Sequence, residues 1–150
     1  MRAVIQRVVK ASVSIEDIEF SKIGVGLLIF LGIEREDNNE DTLWLANKIA
    51  NLRIFNDCSS KMNNSILDID GEIIVISQFT LHAKTKKGNR PSFINAAKSG
   101  QAKRLYENFK YELRQVVSKD IKSGRFGADM NVELINNGPV TIIIDTKNKK

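Results

Sequence analysis

The sequence predicts a single α/β domain over residues 1–150, with a mixed, mostly antiparallel, barrel-like sheet and two main helices. Three observations lead there. Residues 27–31 and 73–76 are apolar at every position, as strands covered on both faces must be. Short β-branched runs lie near both ends of the chain. Two segments between them repeat apolar residues at helical spacing. A chain of this length forms one core and buries about two-thirds of the surface its unfolded form exposes.

In chain order, residues 2–9 and 11–16 read as two short strands, with Val13 and Ile15 alternating against Ser12, Ser14 and Glu16, and suggest an antiparallel start. Residues 27–31 follow Gly24 and Gly26 as a buried strand, and residues 34–40 are a charged loop. Asp41 or Thr42 can cap a helix in which Leu45, Ile49 and Leu52 recur at i, i+4 and i+7. Residues 56–65 are polar and turn-like, and Asp70-Gly71 is a hairpin-type turn that opens a strand over residues 72–80. Residues 84–91 form a basic loop turning at Gly88-Asn89. Ala102, Leu105, Phe109, Leu113 and Val116 then define one face of a long amphipathic helix. After a second loop at residues 123–127, residues 130–134 and 140–144 read as two strands joined around Asn136-Asn137-Gly138-Pro139, before a charged tail at residues 147–150.

Composition narrows the function. No apolar stretch approaches the roughly 20 residues a membrane span requires, and the amino terminus enters a strand pattern without a secretory signal, so a cytoplasmic protein is expected. A single cysteine, Cys58, and a single histidine, His82, rule out an intrachain disulfide and argue against a Cys/His zinc site, so no metal or cofactor is expected. The net charge of +5 favours a polyanionic partner such as nucleic acid.

Chemistry is sought where apolar runs end in polar or backbone-special residues, at Ser77-Gln78-Phe79-Thr80-Leu81 and Asn137-Gly138-Pro139-Val140-Thr141. Ser77 and His82, five apart, point to opposite faces unless the strand ends between them. Cys58 has no base beside it, and Asp68 and Asp70 flank a turn, where Asp serves local hydrogen bonding. Without a credible protein base, any hydrolysis must take its proton transfer from substrate or water and rely on positioning and oxyanion stabilisation. Gly138-Pro139 suits a site made of backbone groups, since glycine allows close approach and an X-Pro bond is where a cis peptide is accessible. A plain turn between two strands explains the same residues. By alternation Gln78 and Thr80 share one face. Lys84, Lys86, Lys87 and Arg90 read equally as a phosphate-contacting loop or a solvated charge run, and Phe126 as a base-stacking or self-anchoring aromatic.

These segments resemble the D-aminoacyl-tRNA deacylase family. The likeness is nearly full length and runs through Met1-Arg2-Ala3-Val4-Ile5-Gln6-Arg7-Val8, Leu52-Arg53-Ile54-Phe55, Lys61-Met62-Asn63, Ser77-Gln78-Phe79-Thr80-Leu81, Lys87-Gly88-Asn89-Arg90-Pro91-Ser92-Phe93, Gly127-Ala128-Asp129-Met130 and Asn137-Gly138-Pro139-Val140-Thr141. It implies a homodimer that hydrolyses the ester of D-aminoacyl-tRNA, and glycine wrongly attached to tRNA-Ala, without metal or cofactor. A cis Gly138-Pro139 bond would reach with Asn137 into the partner subunit's site and exclude L side chains. Ser77, Gln78, Phe79 and Thr80 would form the catalytic wall, with N–H groups near Phe79 and Thr80 as oxyanion donors. Phe126 and Met130 would bind the substrate, Phe126 holding the terminal adenosine, while the ribose 2′-hydroxyl assists water. Lys84, Lys86, Lys87 and Arg90 would contact the acceptor stem. The chain departs from the family pattern in carrying Lys84 where an acidic residue is commoner, Lys98 in place of proline and Asn137 in place of aspartate. A non-catalytic basic RNA-binding module is the other reading of the same residues.

Overall fold

The computed structural model describes residues 1–149, so Lys150, the end of the charged tail, lies outside the described residues. The strands are β1 (Arg2–Ile15), β2 (Ile18–Ile23), β3 (Gly26–Gly32), β4 (Phe55–Asn56), β5 (Met62–Asn64), β6 (Glu72–Ser77), β7 (Lys122–Ser123) and β8 (Asn131–Asp145). The helices are α1 (Asn39–Ala50) and α2 (Ser99–Val117). The main sheet runs β2-β1-β3-β6-β7, with β8 on the other edge of β1, while β4 and β5 form a separate small hairpin. The pairs β3–β6 and β6–β7 are parallel and the rest antiparallel. β2 comes round to β7, where the Ser21 hydroxyl donates to the Ser123 carbonyl at 2.8 Å, so the sheet is nearly closed. This is the mixed, barrel-like sheet with two helices that the sequence predicts.

The two strands expected near each terminus are in fact one long strand each. β1 passes the break in its apolar pattern at Lys10 by a shift of register against β8 between Val8 and Lys10, which absorbs the irregularity without ending the strand. It then turns into β2 through Glu16 and Asp17, with φ of 52° and 60°. That hairpin is not visible in the residue types, since such turns usually carry Asn-Gly or Asp-Gly. β8 pairs with β1 on both sides of an excursion: Thr141 lies opposite Gln6 and Asn136 opposite Val8, so the residues between Asn136 and Thr141 are looped out of the ladder.

Helix α1 starts earlier than the spacing suggests. Asn38 is the cap: its side chain accepts from the N–H groups of Glu40 at 2.8 Å and Asp41 at 3.3 Å, and the Asp41 carboxylate accepts from the Asn38 N–H at 2.9 Å. Asp41 is thus the third helical residue of a capping box rather than the cap itself, and the helix stops at Ala50, short of Leu52. Asp70-Gly71 leads into β6 as expected, but β6 runs parallel to β3 after a crossover that contains α1, and so closes no hairpin. β6 ends at Ser77, and Phe79–His82 forms a 3-10 turn. The alternation that would put Gln78 and Thr80 on one strand face therefore does not apply.

The double-sided apolar strands face two cores. Ala3, Ile5, Leu27, Ile29, Ile73 and Val75 pack under Leu45 and Ile49 of α1 and Leu105, Phe109 and Leu113 of α2. Leu28, Ile74 and Ile76 point the other way, into a smaller cluster with Val8, Ala11, Val13 and Ile23. Among the described residues no helix is long and apolar enough to cross a membrane.

The start of α1 is tied to the chain end after β8. Lys147 Nζ donates to Asp41 Oδ2 at 2.8 Å and lies 3.8 Å from Asp37 Oδ1. Burial pushes the Asp41 carboxyl up, but hydrogen bonds from Lys147, the Asn38 N–H and Thr146 outweigh it and hold the carboxyl below its usual 3.8. A lowered folded-state pKa gives stability that is present above pH 3.8 and lost as pH falls through the lower folded value. Lys147→Met is expected to shrink this acid loss, and urea unfolding of both proteins at pH 6 and pH 3 checks it: the gap in stability between them narrows at the lower pH.

Candidate active site

A cleft of about 470 Å³ opens where β6 ends, lined by Ile76, Ser77, Gln78 and Phe79 on one side and by Phe126, Gly127, Ala128, Asp129 and Met130 on the other. Leu31 and Ile33 form its floor, and Ala97, Ser99 and Ala102 bring the start of α2 to its edge. The first wall stands here because β6 is held parallel to β3 as far as Ser77 opposite Leu31, and the Gln78 N–H then donates to the Leu31 carbonyl at 2.8 Å. Beyond that point the chain turns away. The 3-10 turn has no side-chain cap, so its first N–H groups, those of Phe79 and Thr80, have no partner among the described residues. The Gln78 amide donates to the Thr80 hydroxyl, which orients both side chains at the rim.

The opposite wall is seated on Gly124. A Cβ there would come within 2.4 Å of Met130 Sδ, so glycine leaves room for the Met130 side chain as it stands. Phe126 is backed by Tyr106 of α2, ring centroids 5.6 Å apart. Of the residues singled out from sequence, Ser77, Gln78, Phe79, Phe126 and Met130 therefore share one cleft, with Thr80 in the turn at its rim. Ser77 and His82 do fall on either side of the strand end, yet no hydrogen bond joins them. His82 is buried, and its Nε2 has no hydrogen-bond partner among the described residues.

Phe79 is 58% exposed and meets Phe93 edge-on, with centroids 5.0 Å apart. Phe93 follows the basic loop, which is closed by reciprocal backbone bonds between Lys84 and Ser92 of 2.8 and 3.0 Å. Lys84, Lys86, Lys87 and Arg90 are all exposed on this loop beside the cleft rim.

Asn137, Gly138 and Pro139 stand apart from the cleft, exposed on the excursion from β8. The Gly138-Pro139 bond is cis, and Gly138 has φ of +119°. The Asn136 side chain closes the base of the excursion, donating to the Val140 carbonyl at 3.0 Å and accepting from the Val140 N–H at 3.1 Å. Beneath it, the buried Arg7 donates to the Asn137 carbonyl at 3.2 Å and to the Ile54 carbonyl at 2.6 Å. Arg7 escapes a sequence reading because an arginine within a strand looks like a solvent-facing residue, and Asn136 because it reads as part of a turn; the one hint is that Arg7 alternates in step with Ala3 and Ile5.

The cleft also carries one carboxylate that the search for a base passed over. Asp129, read only as part of a motif, lines the cleft and is exposed. Among the described residues no three His, Cys, Asp or Glu side chains converge as a metal site would need.

Comparison with known proteins gives the family. The family model for D-Tyr-tRNA(Tyr) deacylase matches residues 4–145. The chain belongs to that family. It is 60% identical to the D-aminoacyl-tRNA deacylase of Bacteroides thetaiotaomicron and 58% identical to that of Flavobacterium psychrophilum, covering all of both chains in each case. Among solved structures, the c-Myc DNA Unwinding Element Binding Protein superposes with a TM-score of 0.91 at 42% identity, covering 97% of this chain and 98% of that one. A structure described as a "probable eukaryotic D-amino acid tRNA deacylase" superposes with a TM-score of 0.83 at 16% identity, over 95% of this chain and 97% of that one, and shares the fold.

The excursion makes a direct test of local geometry. A Cβ at Gly138 would lie 2.6 Å from Arg7 Nη2, at a φ that side chains rarely adopt. Gly138→Ala is expected to cost about 1–3 kcal/mol in urea unfolding, and the crystal structure of the variant to show the guanidinium displaced.

Proposed function

We propose that the protein hydrolyses the ester bond of D-aminoacyl-tRNA, releasing free tRNA and the D-amino acid, and that it also removes glycine wrongly attached to tRNA-Ala. The observation that carries this reading is the pair of unpartnered N–H groups on Phe79 and Thr80 at the mouth of a cleft walled by an aromatic ring. Such donors suit the oxyanion that forms when water attacks an ester carbonyl, because they are fixed before the charge develops. Membership of the deacylase family and the names of the relatives at 58–60% identity support the substrate class.

In this reading the terminal adenosine enters between Phe126 and the Ser77–Thr80 side, and the acylated ribose lies near the two N–H groups. Water attacks the ester carbon, the ribose 2′-hydroxyl assists proton transfer, and the 3′-oxygen leaves with a proton. Asp129 is the one lining carboxylate that competes for the role of base. The exposed Lys84, Lys86, Lys87 and Arg90 meet acceptor-stem phosphates, which position the substrate without reading its sequence.

Selection by chirality needs a second copy of the chain. Asn137, Gly138 and Pro139 are exposed and are not among the residues that line the cleft of their own chain, which supports an excursion that serves a partner's cleft. A surface for that partner is at hand: Ile143, Val4 and Phe30 lie side by side across β8, β1 and β3, and Ile143 is 69% exposed. Main-chain groups of the partner's excursion would then fill the space an L side chain requires, so that D-aminoacyl and glycyl esters are admitted by exclusion of the rest.

The similarity to a DNA-unwinding-element binding protein and the net charge of +5 favour one other reading, a basic nucleic-acid-binding module without turnover. Purified protein incubated with matched D- and L-aminoacyl-tRNA separates the two. Release of the D-amino acid alone is expected; equal cleavage of both, or none of the D form, rejects the hydrolase. A terminal 2′-deoxyadenosine is expected to slow cleavage roughly a hundredfold or more, whereas Asp129→Asn keeps most of the rate. The reverse pattern would make Asp129 the base.

A further inference from the structure

We propose that Tyr106 is a positioning residue that sets the separation of the two walls of the cleft, an inference that rests on the reading of that cleft as the hydrolytic site. One wall is the end of β6, with Ser77 and Gln78; the other starts at Gly124 and carries Phe126 and Met130. The backbone tie between them is short. β7 pairs with β6 only through Lys122 opposite Ile74 and Ser123 opposite Val75, after which the Gly124 N–H donates to the Val75 carbonyl at 3.3 Å.

Tyr106 reaches both walls from a third direction, α2. Its hydroxyl donates to the same Val75 carbonyl at 2.8 Å, two residues ahead of Ser77. Its ring lies against Phe126 at a tilt of 51°. Lys110 Nζ sits 4.8 Å over the Tyr106 ring and 3.4 Å from Ser123 Oγ, which fixes the ring from the β7 side as well. The side chain is 1% exposed, and burial pushes its hydroxyl well above the usual range, so it stays a protonated donor. With water excluded, nothing replaces the hydroxyl on that carbonyl. The Val75 oxygen is therefore a junction at which β6, the segment after β7 and α2 are held at fixed spacing.

Removing one atom separates positioning from packing. Tyr106→Phe keeps the ring against Phe126, and the Val75 carbonyl keeps the Gly124 N–H, so no buried polar group is orphaned. Amide hydrogen exchange at residues 124–128 is expected to speed up on the order of tenfold in this variant, with the Leu105 and Phe109 amides of α2 unchanged. The second readout is a ratio, which a change in folded fraction does not move. The kcat/KM for D-tyrosyl-tRNA ending in adenosine is expected to fall about threefold or more relative to the same tRNA ending in cytidine, because the smaller base stacks less on Phe126. Phe126→Leu, which keeps the hydroxyl tether, is expected to lose the preference for adenosine while the Gly124 amide exchanges as in the unaltered protein.

Unchanged exchange at residues 124–128, an equal loss on both substrates, or failure of Tyr106→Phe to fold each overturns the assignment. If the unaltered protein cleaves neither substrate, the hydrolytic reading fails on its own, and the exchange measurement still decides whether Tyr106 holds the walls.

Discussion

Strand β1 uses both of its hydrogen-bonding edges along almost its whole length, and the rest of the sheet takes its position from it. One edge serves β3 over residues 2–8 and β2 over residues 11–15; the other serves β8 from residue 2 to residue 14. Because β6 is registered on β3, the place where β6 stops, and with it one wall of the cleft, is set at one remove by β1. The Gly138-Pro139 excursion is set by the opposite edge. Two features that lie far apart in sequence are thus located by a single strand, and Arg7 of that strand also holds the carbonyl of Asn137.

Much of this was legible in the residues, and the failures have physical causes. β3 and β6 were readable because a core lies on each side of them, so Leu28 and Ile74 had to be as apolar as Leu27 and Ile73. Helix α2 was readable because Leu105, Phe109 and Leu113 keep a strict period under one core. The unity of β1 and of β8 was hidden, since a bulge and a looped-out segment look like strand ends when the partner strand is unseen. The cap of α1 is not legible from residue type because Asn38, Asp41 and Thr42 are all competent, and only the backbone decides that Asn38 stands half outside the helix.

The candidate site was legible as a list of segments rather than as a shape. Polar strand ends and family likeness point to Ser77, Gln78, Phe79, Phe126 and Met130, and the fold brings them to one cleft. What sequence alone could not supply was the supporting layer: Tyr106 reads as one more apolar residue of α2, Gly124 as a loop glycine and Arg7 as a surface charge. Each acts by contact with a residue distant along the chain, and such contacts leave no local pattern.

The excursion from β8 lies outside the ladder, with matched pairing resuming on both sides of it. Adding or removing a residue within the paired stretch from Thr141 to Asp145 would rotate Ile142 and Ile144 from the core to solvent, because side chains in a strand alternate. A change of length between Asn136 and Thr141 need not do so, since those residues are not counted in the register. The protrusion can therefore lengthen or shorten over evolutionary time, altering how far it extends from the surface, while the barrel that carries it stays unchanged.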